Sequence, residues 1–160
     1  MPETSAHAQP LLEARNVVKH FPIRGGVFMK QTAAVKAVDG VSLTIREGET
    51  LGLVGESGCG KTTFGRAILR LEEPTSGDVL FQGRSIMGYS KHDMQALRRE
   101  MQIVFQDPFS SLNPRKTVSH IVGEPLLVHG VKRRLEREAR VLELLEVVGL
   151  RREHMRRYPH

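Results

Sequence analysis

No stretch of this 160-residue chain approaches the roughly 20 consecutive apolar residues needed to span a bilayer. Its first ten residues, Met1–Pro10, are polar and carry a proline at the second position. Without an apolar h-region they read as a short flexible tail and not as a secretory signal. The single cysteine, Cys59, has no internal partner for a disulfide, which is consistent with a reducing cytoplasm. The seven histidines (7, 20, 92, 120, 129, 154 and 160) never fall three or four apart, so no helical metal pair exists and no structural metal site is expected. There is no internal repeat and no low-complexity tract.

What remains is a chain of about one ordinary domain's length, 39% apolar and 26% charged, a balance that fits a soluble globular protein. The formal charge is +6 and the sequence pI near 9.9. Lys132–Arg140 and Arg151–Arg157 hold much of the positive charge. Glu136, Glu138, Glu143, Glu146 and Glu153 are mixed among those residues, a pattern of a solvated helix face more than of a nucleic-acid stripe. A basic face also suits an anionic membrane surface or the cytoplasmic loops of a membrane partner.

Leu11–Phe21 reads as a strand broken by Pro22, and Ile23–Ala34 as a loop around Gly25-Gly26. Val41–Arg46 alternates strictly, with Val41, Leu43 and Ile45 on one face, which predicts a half-buried antiparallel strand. Glu47-Gly48-Glu49 turns the chain into Leu51–Val54, a short apolar run suited to a strand buried on both faces. Thr62–Leu71 reads as a helix, Glu73–Gly77 as a turn and Asp78–Gln82 as a strand. Ser90-Lys-His-Asp93 forms a capping box opening a helix that carries Met94, Leu97 and Met101 on one side. Gln102–Gln106 reads as another strand and Asp107–Pro114 as a loop. Val118–Val128 and Lys132–Val148 are predicted helices, the second with a stripe of Leu135, Ala139, Leu142 and Leu145. Strands alternating with helices predict an α/β fold with an antiparallel portion near the N-terminus and a helical segment at the end.

Gly55-Glu56-Ser57-Gly58-Cys59-Gly60-Lys61-Thr62 fits G-x-x-x-x-G-K-[ST]. Glycines at these positions let successive backbone N–H groups face inward as an anion nest. A helix starting at the loop adds about half a positive charge there. Lys61 then extends to the β- and γ-phosphates of a nucleotide, Thr62 offers its hydroxyl to magnesium, and Thr63 can reach the α-phosphate. The pattern arises by chance in roughly one chain of this length in a few hundred, and an apolar strand before it with a helix after it lowers those odds. ATP with Mg2+ is the expected ligand. Cys59 reads as a small side chain that fits the loop, with a reactive thiol as the alternative, since a helix N-terminus lowers a thiol's pKa.

The form G-E-S-G-C-G-K-T-T, preceded by Glu47-Gly48-Glu49-Thr50-Leu51-Gly52, resembles the ATP-binding subunit of an ABC transporter. Glu73-Pro-Thr-Ser-Gly77 is similar to that family's turn after the first helix, and Val104-Phe-Gln106-Asp-Pro108, 45 residues past Lys61, to its Q-loop. Phe109–Arg115 and the terminal Arg157-Tyr-Pro-His160 resemble the subgroup that powers oligopeptide, dipeptide and nickel uptake. The resemblance implies a P-loop NTPase core over residues 11–106 and the start of an α-helical subdomain over 107–160, behind a tail at 1–10. By the same resemblance, Phe21 matches the aromatic residue that stacks on adenine, with an apolar strand-end residue as the alternative. Lys61 and Gln106 are then the catalytic candidates, Gln106 also reaching magnesium and the attacking water. Gly55 to Thr63 would hold the nucleotide. Asp107 to about Pro125 would face permease subunits at the cytoplasmic side of the inner membrane, and a second ATP-binding subunit would complete a homo- or heterodimer.

The family's pattern continues after Arg-Tyr-Pro-His with L-S-G-G-Q, a catalytic glutamate and a switch histidine, none of which is found before His160. The chain is therefore expected to be an incomplete subunit with at most residual ATPase activity, because positioning and electrostatics supply most of phosphoryl-transfer catalysis. Two further functions are weighed against a peptide importer. One is a non-catalytic nucleotide-binding fragment. The other is a soluble ABC-type protein acting on nucleic acid, which the Phe109–Arg115 and Tyr158–His160 segments argue against.

Overall fold

A computed structural model describes residues 9–25 and 30–160. Most of the predicted tail and the Gly26 part of the predicted loop lie outside the described residues. The chain divides into two compact units, one running to Met94 and one from Gln95.

The first unit is built on a long antiparallel hairpin of β1 (Leu12–Gly25) and β2 (Lys30–Ile45). Helix α1 (Lys61–Ile68), β3 (Ser76–Phe81) and the short β4 (Arg84–Ser85) follow. The strands make one antiparallel sheet in the order β2-β1-β3-β4. Val41, Leu43 and Ile45 are half-buried and alternate with exposed Ser42, Thr44 and Arg46, as the period-two pattern requires. Leu12, Ala14, Val17, Val38 and Val79 of the sheet, with Phe64 and Ala67 of α1 and Ile86 beyond β4, form the buried core. Each fully buried Val or Ile among them contributes about 1.5–3 kcal/mol of apolar transfer free energy.

Asn16 sets the sheet's shape. Its φ of 47° places it in the left-handed region, tolerable for an asparagine. The register of β1 slips there against both neighbours. The Asn16 N–H donates to Ser42 Oγ at 2.8 Å, so the bulge leaves this donor satisfied. Gly77 of β3 lies against it, and a Cβ at Gly77 would stand 2.7 Å from Val17 Cα. Arg70 ties the end of α1 to the segment after β4. Its Nη1 donates to the carbonyls of Ile86 (2.6 Å) and Tyr89 (3.1 Å), while Nε and Nη2 pair with Glu73.

Two expectations for this unit are corrected. Pro22 does not end β1, and the predicted Ile23–Ala34 loop is largely strand. Pro22 lies past Val18, the last β1 residue registered with β3. A strand laddered on one side points every second N–H away from its partner, and a proline there forfeits no ladder bond. Leu51–Val54 is not a strand, and its apolar residues are exposed, Val54 at 91%. A strand of the doubly buried kind needs ladder partners and covering helices, and among the described residues no strand pairs with this segment.

Helix α2 (Lys91–Leu97) opens on the predicted capping box. Ser90 Oγ accepts from the Asp93 N–H (3.2 Å), and Asp93 Oδ2 accepts from the Ser90 N–H (3.1 Å) and hydroxyl (2.6 Å). The second unit is helical: a one-turn α3 (Pro108–Ser111), α4 (Val118–Val128), α5 (Arg134–Val147) and a 3₁₀ turn at Arg152–Arg156. Val141 and Leu145 of α5 are buried, and Val141 packs beside Gly123 of α4. The predicted stripe is corrected in part: Leu145 is on the buried face, but Leu135 is 81% exposed and Ala139 is exposed too. The buried face carries Val141 and Leu145 with Leu142 half-buried, and Arg137 on the same side donates to the carbonyls of Val131 (2.9 Å) and Lys132 (3.2 Å) just before the helix. Gln102–Gln106 is not a strand either, and Val104 is 89% exposed. The Asp107–Pro114 loop is interrupted by α3.

Candidate functional site

The loop from Gly55 to Thr63 runs from the exposed Leu51–Val54 segment into α1. Gly60 is the N-cap of α1 at φ 96°, ψ 0°, and Phe64 donates back to its carbonyl at 2.8 Å. A Cβ at Gly60 would collide with the Ala37 carbonyl oxygen of β2, so only glycine lets the loop lie against the hairpin. Phe64 and Ala67 then bury the inner face of α1 on β1 and β2. The helix start is thereby fixed to the sheet.

Lys61 folds back over this loop. Its ammonium donates to the carbonyls of Gly55 (2.8 Å) and Glu56 (2.7 Å) and lies 3.5 Å from Cys59 Sγ. Cys59 is a free, exposed thiol. The N–H groups of Gly60, Lys61 and Thr62 have no acceptor among the described residues. The hydroxyls of Thr62 and Thr63 make no hydrogen bond within the described residues either, so these N–H groups and hydroxyls are unspent donors. They face a cavity of about 290 Å³ whose other wall is Val35, Lys36 and Ala37 of β2. Exposed donors, a helix N-terminus and one ammonium make an arrangement suited to the oxygens of a polyphosphate. A free threonine hydroxyl beside it suits a hard cation bound to those oxygens.

Phe21 is in β1, directly registered with Val35, so its strand pair reaches the loop cavity. The ring is 38% exposed, and Lys19 Nζ stands 4.9 Å from its centroid. Lys19 also donates to the Glu73 carbonyl at 2.8 Å. Gln106 belongs to the second unit, exposed at a bend just before α3. The structure therefore brings Phe21's strand, Gly55–Thr63 and Lys61 together in one unit, and Gln106 is in the other.

Sequence reasoning misses the β2 wall, because Gly25-Gly26 makes Ile23–Ala34 read as a loop and the strict alternation begins only at Val41. The Ala33-Ala34-Val35-Lys36-Ala37-Val38 run, continuous with the alternating segment, was the available signal. Beside that wall, Asp39 Oδ1 meets His20 Nε2 at 3.0 Å and Asp39 Oδ2 accepts from Lys36 at 3.2 Å. The hydrogen bond to His20, then that to Lys36, holds the Asp39 carboxyl below its usual value. Among the described residues no group of three or more His, Cys, Asp or Glu side chains is placed to hold a metal ion. No helix among them is long and apolar enough to cross a membrane.

The sequence is 50% identical over 158 residues to the oligopeptide transport ATP-binding protein AppF of Bacillus subtilis, covering 98% of this chain and 48% of that protein. It is 54% identical over 155 residues to the glutathione import ATP-binding protein GsiA of Pectobacterium atrosepticum, covering 97% of this chain and 25% of that protein. The chain thus spans half or less of the length of these curated relatives. Among solved structures, the dimeric post-hydrolysis state of the ATP-binding cassette MJ0796 bound to ADP and Pi superposes with a TM-score of 0.71 at 30% identity. That superposition covers 92% of this chain and 61% of the cassette, which gives the chain a partial P-loop NTPase fold of the ABC type. The family model described as ABC transporter matches residues 38–160, and on that match the chain belongs to the ABC transporter family.

Proposed function

We propose that this chain is the nucleotide-binding portion of an ATP-binding subunit that energises import of peptides or a peptide-like solute. The observation that carries ATP binding is the Lys61 ammonium seated on the Gly55 and Glu56 carbonyls beside the unspent N–H groups of Gly60 to Thr62. On nucleotide arrival the ammonium exchanges those carbonyls for β- and γ-phosphate oxygens, and Gly55, Glu56, Ser57, Gly58, Cys59 and Gly60 wrap the chain with backbone donors. Thr63 completes the set toward the α-phosphate, and Phe21 offers its exposed ring to the adenine. The Thr62 hydroxyl and the Gln106 carboxamide are the groups that would hold magnesium. When bound, that ion neutralises charge developing on the phosphates. The names and identities of AppF and GsiA support a peptide-class solute.

Residues 11–106 are assigned to the nucleotide-binding core and 107–160 to a helical subdomain. Within the latter, Asp107 to Pro125 is the surface proposed to meet permease subunits, with a second ATP-binding subunit as the dimer partner. The site of action is the cytoplasmic face of the membrane, peripherally. These 160 residues contain no L-S-G-G-Q segment. They are therefore expected to bind Mg-ATP with at most residual turnover, which makes the non-catalytic fragment the second reading of the isolated chain.

Equilibrium titration with Mg-ATP, run beside a phosphate-release assay, tests both statements. Saturable binding that Lys61→Ala weakens at least about tenfold is expected, since a charge-assisted bond is worth about 1.5–3 kcal/mol. Unchanged affinity in Lys61→Ala would sink the assignment of the loop. Turnover above about 1 s⁻¹, the lower end of the ordinary enzymatic range, would refute the claim of residual activity.

A further inference from the structure

The second unit holds a cavity of about 770 Å³ that the nucleotide reading leaves unused. Its walls carry four arginines, Arg134, Arg151, Arg152 and Arg156, against two glutamates, Glu138 and Glu153, a formal surplus of two positive charges. Glu138 is committed to Arg134, whose Nε donates to it at 2.7 Å. Glu153 approaches only His154, at 3.9 Å. The guanidinium groups of Arg152 and Arg156 are exposed and have no acidic partner among the described residues.

The same cavity meets the start of α4. The Val118 N–H donates to the Arg157 carbonyl at 2.8 Å, which fixes the 3₁₀ turn against this helix end. Ser119, the second residue of α4, lines the cavity, and its N–H has no acceptor among the described residues. The partial positive charge of a helix N-terminus therefore adds to that of the arginines. A volume in the range of small-ligand sites and two uncommitted planar guanidinium forks favour a compact oxyanion over an extended partner. Such forks bind phosphate through paired N–H donors, where an ammonium would act as a point charge.

We propose that this cavity is a second anion site, distinct from the Gly55–Thr63 loop, which takes a small ligand carrying two or more phosphate groups. Arg152 and Arg156 grip the phosphates, and the Ser119 N–H caps them from the helix end, its hydroxyl lying 3.3 Å from that of Thr117.

The test uses the whole 160-residue chain carrying Lys61→Ala, to weaken the loop, titrated calorimetrically with inorganic pyrophosphate. Saturable binding at one site is expected, and adding Arg152→Ala with Arg156→Ala should weaken it at least about tenfold, as loss of charge-assisted bonds requires. Adding Arg84→Ala with Arg98→Ala instead removes the same charge from exposed positions elsewhere and should change affinity by less than about threefold, since exposed charges act weakly at a distance in salt. Because Arg152 and Arg156 are exposed, a far-UV spectrum matching the parent will accompany the loss. Absence of saturable pyrophosphate binding, unchanged affinity in the Arg152/Arg156 variant, or equal weakening in the Arg84/Arg98 control would each overturn the proposal.

Discussion

Gly60→Ala should be the most damaging single-methyl change in the loop, and Gly58→Ala is its internal control. Both glycines have positive φ, 96° and 82°, so either alanine enters the left-handed region at about 1–2 kcal/mol. They differ in what the new methyl meets. At Gly58 there is nothing within 4 Å. At Gly60 the methyl is driven into the Ala37 carbonyl, a backbone atom and not the far end of a flexible side chain. Ala37 is the residue skipped in the register between Lys36 and Val38 of β2, which pair with His20 and Lys19 of β1, so moving its carbonyl shifts those pairs. Overpacking of that kind costs about 1–3 kcal/mol beyond the shared backbone term. Gly60→Ala is then expected to lose about 2–5 kcal/mol in all, and Gly58→Ala about 1–2 kcal/mol. Urea unfolding followed by far-UV circular dichroism reads the difference. With a slope of about 1–3 kcal/mol per molar, the Gly60 variant's midpoint should be lower than the Gly58 variant's by roughly 1 M. Coincident midpoints would show that the loop is not braced on β2 and that the geometry argued for the phosphate cradle is wrong.

Ser90→Ala removes the acceptor for the Asp93 N–H and should destabilise α2 by about 1 kcal/mol, read as a lower urea midpoint; Ser90→Thr should recover most of it. The same capping box gives a pH dependence: hydrogen bonds from the Ser90 side chain, then from its backbone, hold the Asp93 carboxyl below its usual value. A depressed folded pKa contributes stability that is full above the ordinary carboxylate value and is lost as pH falls through the lower folded value. The unfolding midpoint should accordingly drop on acidification from about pH 5 downward, and by less in Asp93→Asn; an equal drop in both would exclude Asp93 as a contributor. Arg70→Ala strands the carbonyls of Ile86 and Tyr89 and frees Glu73, which should cost about 2–3 kcal/mol of urea stability, whereas Arg66→Ala, at an exposed position, should stay within about 0.5 kcal/mol.

What the sequence disclosed tracks how local the cause is. The Val41–Ile45 alternation, the Glu47-Gly48-Glu49 turn, the Ser90–Asp93 box and helix Val118–Val128 are settled by neighbours a few residues apart, and each is found where the pattern put it. The loop's pattern is legible for the same reason. Its bracing is not, because the Ala37 carbonyl comes from a strand more than 20 residues upstream, between the predicted Ile23–Ala34 loop and the alternation that starts at Val41. The stripe on α5 failed on a similar point. Periodicity alone ranks Leu135 and Ala139 with Leu145, but the side that packs beside Gly123 carries Val141 and the stem of Arg137, whose guanidinium donates to the Val131 carbonyl. Long polar side chains bury methylene surface that a hydropathy pattern does not count.

Leu51–Val54 and Gln102–Gln106 show the limit from the other side. Both read as strands, Leu51–Val54 as one buried on both faces, yet neither is one, since such a strand is defined by its ladder partners more than by its own residues. A helix satisfies its backbone internally and can be read from one segment, but a central strand cannot. The position of Val54, one residue before Gly55, makes this consequential for the site. The loop's downstream end is held by Phe64 and Ala67 in the core and by Gly60 on β2, while its upstream end hangs from an exposed run. Lys61's grip on the Gly55 and Glu56 carbonyls closes that open side in place of a strand. The same lysine that would hold phosphate therefore also holds the loop's shape when no phosphate is there, and its two roles are exclusive at any one moment.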